Sequence, residues 1–110
     1  MTTEYSENNR IDTLTIASSG TVSTSKQIDN WVPVGIIFPS AWTAADLSIQ
    51  VSLDGASWKT LPAGIGTFTG VVDLFQPLDA ASFLGVRHIR LVATVAQAAQ
   101  RDLKVIYHAP

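Results

Sequence analysis

The sequence of residues 46–61 is DLSIQVSLDGASWKTL, and it predicts a strand, a tight turn and a second strand. Polar and apolar residues alternate over its first eight positions, which is the period of a strand with one buried and one solvated face. Asp54-Gly55 supplies the turn, because glycine adopts the positive φ angles that tight hairpin turns require. Trp58 starts the returning strand, and we expect its side chain to pack in the core. This hairpin indicates an antiparallel β fold.

Short strand patterns separated by turn residues cover the rest of the chain. The predicted strands lie at residues 12–17, 21–28, 31–38, 46–53, 58–61, 67–75, 86–93 and 102–107. The apolar run at 31–38 is typical of a strand that is buried on both sides or covered by a neighbouring subunit. Gly35 and Gly70 are expected at bulges or at close approaches of the backbone. About eight short strands predict an all-β, antiparallel β-sandwich or jelly-roll-like fold.

One short helical turn is expected within residues 77–85, whose sequence is PLDAASFLG. Asp79 would cap its start and Gly85 would end it. Residues 1–10 are polar and lack any periodicity, so they are expected to form a flexible N-terminal arm. The chain is therefore predicted to consist of this arm and a single β-sandwich domain at residues 11–110.

Charge is scarce in this chain. Charged residues make up 15% of the 110 residues, against about 25% in an ordinary soluble domain. Because a small domain exposes much surface for its volume, this shortage predicts that other copies or a larger assembly cover part of it. The alternative is that Ser, Thr and Gln make the solvated faces polar. The net charge of −2 argues against a nucleic-acid partner, because phosphate contacts require clustered basic residues.

The sequence contains none of the residue patterns that support enzyme chemistry. Cysteine is absent, which excludes disulfides and thiol catalysis. His88 and His108 lack the spacing of a zinc site, and the aspartates are scattered rather than arranged as a calcium loop. We therefore expect no enzyme activity, no cofactor and no metal. No apolar stretch approaches the ~20 residues that cross a bilayer, so we expect a protein folded in a cytoplasm without a membrane partner.

Three tryptophans could take part in binding. Trp31, Trp42 and Trp58 could form a platform for a sugar, because aromatic faces stack on the apolar faces of sugar rings. Trp42 lies in a loop between small residues and is the better candidate for exposure. An exposed tryptophan equally suits the centre of a protein interface. The scarcity of charge favours the interface.

Three segments carry a resemblance to a known group of proteins. Their sequences are VGIIFPSAWTAADLSIQVSLDGASWKTL at 34–61, PLDAASFLGVRHIRLVA at 77–93 and AAQRDLKVIY at 98–107. Together they resemble the small β-sandwich structural proteins of tailed bacteriophages, of the head decoration or cement type. The shared elements are structural rather than catalytic. The hairpin alone is also similar to that of discoidin-like and other carbohydrate-binding sandwiches.

The resemblance implies a virion protein on the capsid exterior, made in the cytoplasm of a host bacterium. It implies a homo-oligomer, with a trimer favoured, that binds the major capsid protein and stabilises the head lattice. The alternatives are a tail, neck or head-fibre component, or a carbohydrate-binding or adhesin module with a glycan partner.

Site residues follow from this expectation in three groups. The arm would contact the capsid through Thr2, Thr3, Glu4, Tyr5 and Arg10. Neighbouring subunits would meet at Trp31, Phe38, Pro39 and Trp42. Purely structural turn and cap roles fall to Asp54, Gly55, Asp79 and Gly85.

Overall fold

The computed structural model describes residues 4–5 and 9–109, which form two antiparallel sheets packed into an all-β sandwich. The first sheet contains, in spatial order, β1 (Glu4–Tyr5), β2 (Asn9–Ile16), β10 (Arg101–His108), β4 (Val32–Ile37) and β8 (Phe75–Pro77). The second contains β3 (Lys26–Gln27), β9 (His88–Ala93), β5 (Asp46–Ser52) and β6 (Lys59–Thr60), and β7 (Thr67–Thr69) also pairs with β5. None of the helical structure in the described residues has the length and apolarity of a membrane span.

Alternation along the five longest strands builds the core. Most inward positions of each strand are fully buried, and both sheets contribute to one apolar cluster. Its strand residues include Leu14, Ile16, Ile36, Leu47, Ile49, Ile89, Leu91, Leu103, Val105 and Tyr107. Each large apolar side chain buried in this way stabilises the fold by about 1.5–3 kcal/mol. The predicted period-two pattern therefore identifies the core-facing side of these strands correctly.

The predicted hairpin is present as β5 and β6, joined by residues 53–58. Gly55 has a φ of +79°, which glycine adopts without steric cost. Asp54 Oδ1 accepts hydrogen bonds from the backbone N–H groups of Ala56 and Ser57, each at 2.9 Å. Asp54-Gly55 thus organises the turn, as its residue types indicate.

The prediction of one strand at 67–75 is wrong. The chain leaves the second sheet after β7, turns at residues 71–74 and enters the first sheet as β8. Asp73 has a φ of 56° in this turn, a conformation that no strand contains. Gly70 lies so close to the Trp42 indole that a side chain there would overlap it. The predicted strand at 21–28 is likewise reduced to β3, with isolated bridges at Val22 and Ser23.

The helical turn is a 3-10 helix at Ala80–Phe83. Asp79 lies at its N-cap position, but its carboxylate accepts from the Ser82 hydroxyl at 2.9 Å and makes no hydrogen bond to a backbone N–H of the turn. Gly85 follows the turn with a φ of +86°. Phe83 is buried in the core between the two sheets.

The N-terminal boundary differs from the sequence-based one. β2 begins at Asn9, and the backbone of β1 pairs with Arg10 and Ile11. Arg10 therefore belongs to the sandwich rather than to an arm. Thr2 and Thr3, predicted to contact a capsid, lie outside the described residues.

Candidate interaction surfaces

Trp42 is not the exposed tryptophan that its loop position suggests. It is half-buried and packs edge-on against Phe38, with 5.2 Å between ring centroids and an interplanar angle of 84°. Its indole N–H donates to the Ala45 carbonyl at 3.2 Å. Small neighbours in the sequence therefore allow the ring to turn inward, and the expectation of a solvent-facing Trp42 is corrected.

Of the residues predicted to contact other subunits, Phe38 is buried and Pro39 lies at the surface. The side chain of Phe38 is 1% exposed and lies in the core, so it cannot contact another subunit. Pro39 is half-buried at the surface. Trp31 packs against the core and borders a depression of about 400 Å³. The other lining residues are Asp29, Asn30, Val32, Phe83, Leu84, Gly85 and Ala109.

Three large apolar side chains stand exposed where the chain crosses between the sheets. Phe75 is 50% exposed, Val71 48% and Val72 46%. The Asp73 N–H donates to the Pro39 carbonyl at 3.0 Å, which holds this turn against the end of β4. We call Pro39, Val71, Val72 and Phe75 the apolar edge. The sequence predicts one strand through Val71, Val72 and Phe75 and no role for them in contacts.

An apolar row on the outer side of the first sheet leads to the apolar edge. Ile11, Ile106, Gly35 and Pro77 are paired in succession across β2, β10, β4 and β8. The Phe75 ring lies directly on Gly35, where a side chain would overlap it. Paired residues of neighbouring strands point to the same face, so this row faces away from the core. The outer side of the first sheet therefore contains an apolar row, beside the row of Thr13, Lys104 and Ile37.

The outer side of the second sheet is polar. The Arg90 Nε donates to Gln50 Oε1 at 2.7 Å, and Gln50 Nε2 donates to the Thr60 hydroxyl at 3.1 Å. Farther along, the Ser48 and Thr67 hydroxyls are 3.2 Å apart. We call six outward side chains on this side of the sheet the polar face; they are Ser48, Gln50, Trp58, Thr60, Thr67 and Arg90. The half-buried Val92, which pairs with Ser48, borders them.

Trp58 belongs to this polar face and not to the core, which corrects the sequence-based expectation. Lys59 pairs with Val51, which packs against the core. Trp58 immediately precedes β6, and its ring contacts Arg90, which pairs with Gln50 on the outward side of the sheet. The Arg90 guanidinium carbon lies 4.4 Å from the centroid of the half-buried indole ring. This contact is a cation–π interaction.

Arg10 lies inside the sandwich and is not a free capsid contact. Its side chain is 12% exposed and forms a 2.8 Å ion pair with the fully buried carboxylate of Asp12. The guanidinium also donates to the Gln27 carbonyl at 3.2 Å and lies 5.2 Å from the centroid of Tyr107. Arg10 thus links the two sheets. Burial raises the pKa of the Tyr107 phenol, and the neighbouring Asp12 carboxylate raises it further.

A shallow depression of about 270 Å³ lies beside the β5–β6 turn. Its lining residues are Val51, Ser52, Leu53, Asp54, Ser57, Lys59 and Val86. The backbone N–H groups of Ser57 and Ala56, followed by the Ser52 hydroxyl, hold the pKa of Asp54 down to about 2. The Asp54 Oδ1 is therefore engaged within its own turn.

Gln97 is a buried polar residue that sequence reasoning did not identify. Its side chain is 1% exposed and bonds to both backbone groups of Thr43. The Arg101 Nε donates to Gln97 Oε1 at 3.3 Å. A glutamine among alanines carries no sequence signal for this role, because its partners come from another loop.

The described residues contain no group of three or more His, Asp or Glu side chains that could hold a metal ion. Arg87 forms an exposed ion pair with Asp29 at 3.2 Å.

Comparison with known proteins finds a likeness of fold. No protein-family model and no curated protein matches the chain. The structure is similar to the crystal structure of the SPBc2 prophage-derived protein YomS, with a TM-score of 0.63 and 8% sequence identity. The similarity covers 92% of this chain and 95% of that chain. At this identity it establishes a common fold and nothing more.

Proposed function

We propose that this protein is a non-enzymatic structural component of a bacteriophage particle, and that it self-associates through the apolar edge. The exposure of Val71, Val72 and Phe75 within five consecutive residues carries the proposal. Large apolar side chains clustered on a surface mark sites of protein contact. Burying the exposed half of each of these side chains in a subunit contact would contribute about 1 kcal/mol to the free energy of association.

The outer row of the first sheet extends this contact surface. Ile11 pairs with Ile106, and Ile106 pairs with Gly35, on which the Phe75 ring lies. A second copy packed over this row would bury a continuous apolar strip and the edge together. The low charge of the chain, 15% of residues, fits a surface that is partly covered in an assembly.

The phage assignment rests on two supports of different kinds. The sequence segments at 34–61, 77–93 and 98–107 resemble phage decoration proteins, and the fold is similar to that of a prophage-derived protein. A capsid decoration or cement protein is the role we favour, with a trimer on the capsid exterior that binds the major capsid protein. Each copy of such a protein needs to contribute only a few kcal/mol of binding free energy to the capsid, because many copies act on one shell. Tail, neck and head-fibre positions are the alternative sites in the particle.

Self-association is tested by analytical ultracentrifugation of the wild-type protein, Phe75→Asp and Val72→Asp. We expect an oligomer for the wild type and a shift to monomer for both variants, because a buried carboxylate without a partner opposes association. Leu53→Asp is the matched control, since Leu53 is 71% exposed but lies beside the β5–β6 turn. A wild-type monomer, or an oligomer that both edge variants retain, would contradict the proposal.

Position in the particle is tested by cryo-electron microscopy of particles grown in a host that carries the gene. Density for this sandwich on the head lattice supports the decoration role. Density confined to the neck or tail selects those alternatives, and particles without the protein contradict a virion role.

A further inference from the structure

The polar face contains an aromatic ring that the core does not use. Trp58 is half-buried outside the core, and Arg90 lies over one face of its ring. An indole held against a sheet by a guanidinium is fixed in orientation. A fixed aromatic ring can stack on the C–H face of a sugar with little loss of side-chain entropy.

Arg90 has unused donors at the same place. Its Nε is bonded to Gln50, but in the described part of the chain its two terminal nitrogens make no hydrogen bond and no ion pair. Among the outward positions of β5, only the first residue, Asp46, is an aspartate. Asp54 lies beyond the end of β5, and its carboxylate is engaged in the turn. A guanidinium without a carboxylate partner favours an anionic ligand, which it can bind through two parallel hydrogen bonds.

Hydroxyl and amide groups surround these two side chains. Gln50 and Thr60 are bonded to each other beside Arg90, and Ser48 and Thr67 continue the row. Such groups both donate and accept hydrogen bonds, as sugar hydroxyls do. The apolar row of Ile11, Ile106, Gly35 and Pro77 lies on the other sheet, so the two faces suit different partners.

We propose that the polar face binds an acidic oligosaccharide, with Trp58 stacking on a sugar ring and Arg90 pairing with its anionic group. This site is separate from the apolar edge and does not depend on self-association. Gln50 holds the guanidinium in place and is a positioning residue.

The test is isothermal titration calorimetry with three probes of similar length. They are an oligogalacturonate, a phosphorylated cello-oligosaccharide and neutral cellohexaose. We expect an acidic probe to bind more tightly than cellohexaose and to bind more weakly as salt is raised. Trp58→Ala and Arg90→Gln should each weaken that binding by about tenfold or more, which corresponds to 1.4 kcal/mol.

Arg87→Gln is the matched control, because it removes the same charge from an arginine that already pairs with Asp29. It should leave the affinity unchanged, and Trp58→Phe should retain most of it. Thermal unfolding of each variant verifies that the fold is intact. Preference for the galacturonate or the phosphate probe identifies the anion, and either supports the site.

Three results would overturn this inference. One is equal binding of the neutral and acidic probes. Another is failure of the wild type to bind the probes or any acidic polysaccharide on an array of bacterial surface glycans. The third is loss of the oligomer in both Trp58→Ala and Arg90→Gln, which would make the polar face a protein interface.

Discussion

The side-chain amide of Gln97 pairs with both backbone groups of Thr43, although 54 residues separate the two in sequence. Gln97 Oε1 accepts from the Thr43 N–H at 3.0 Å, and Gln97 Nε2 donates to the Thr43 carbonyl at 3.2 Å. The amide thus substitutes for the strand partner that Thr43 lacks in this loop. It ties the β9–β10 connection to the β4–β5 connection, next to Trp42.

Gln97→Leu should lower the free energy of unfolding by about 2–4 kcal/mol. Leucine fills a similar volume but leaves the partly buried backbone groups of Thr43 and the Nε of Arg101 without this partner. Urea unfolding at neutral pH measures the loss. Gln100→Leu is the control, because Gln100 is exposed and should change stability by no more than about 0.5 kcal/mol. A Gln97 variant as stable as the control would show that the network contributes little.

The strands could be predicted where burial alone determines them. Residues 46–52 alternate strictly, and only one register puts Leu47 and Ile49 in a core. The turn at Asp54-Gly55 was equally predictable, because its hydrogen bonds join residues within three positions of each other. Local patterns suffice when the partners are local.

The tryptophans could not be placed from the sequence because their positions depend on at least one distant residue. Trp42 contacts the nearby Phe38, but it can lie inward only because the distant Gly70 has no side chain to overlap the indole. Trp58 is held outward by the register of β6 and by Arg90. The sequence likewise does not indicate that the chain crosses between the sheets after Gly70, since Val71 and Val72 suit a strand as well as an exposed turn. Which residues form the contact surfaces thus depends on tertiary structure.

Gly35→Ala should destabilise the protein by about 1 kcal/mol and displace the Phe75 ring. The added methyl group would overlap that ring. Because Phe75 is in an edge strand, its ring can rotate into solvent, so the loss of stability is at the low end of overpacking effects. Thermal unfolding measures the loss. The double variant Gly35→Ala/Phe75→Ala should lose less than the sum of the two single variants, because the overlap is then absent. Additive losses would mean that the ring does not rest on Gly35.

Asp54 should make stability depend on pH in the acid range. Its folded pKa of about 2 is below its ordinary value of 3.8, so its contribution is present above pH 3.8 and is lost as the pH falls through about 2. Asp54→Asn should therefore be less stable than the wild type at neutral pH, and the difference should shrink over that interval. Urea midpoints measured at several pH values test this. Asp73→Asn, at a different turn, controls for the loss of one negative charge. If the stability difference between Asp54→Asn and the wild type stayed constant with pH, the carboxylate of Asp54 would not have this role in the turn.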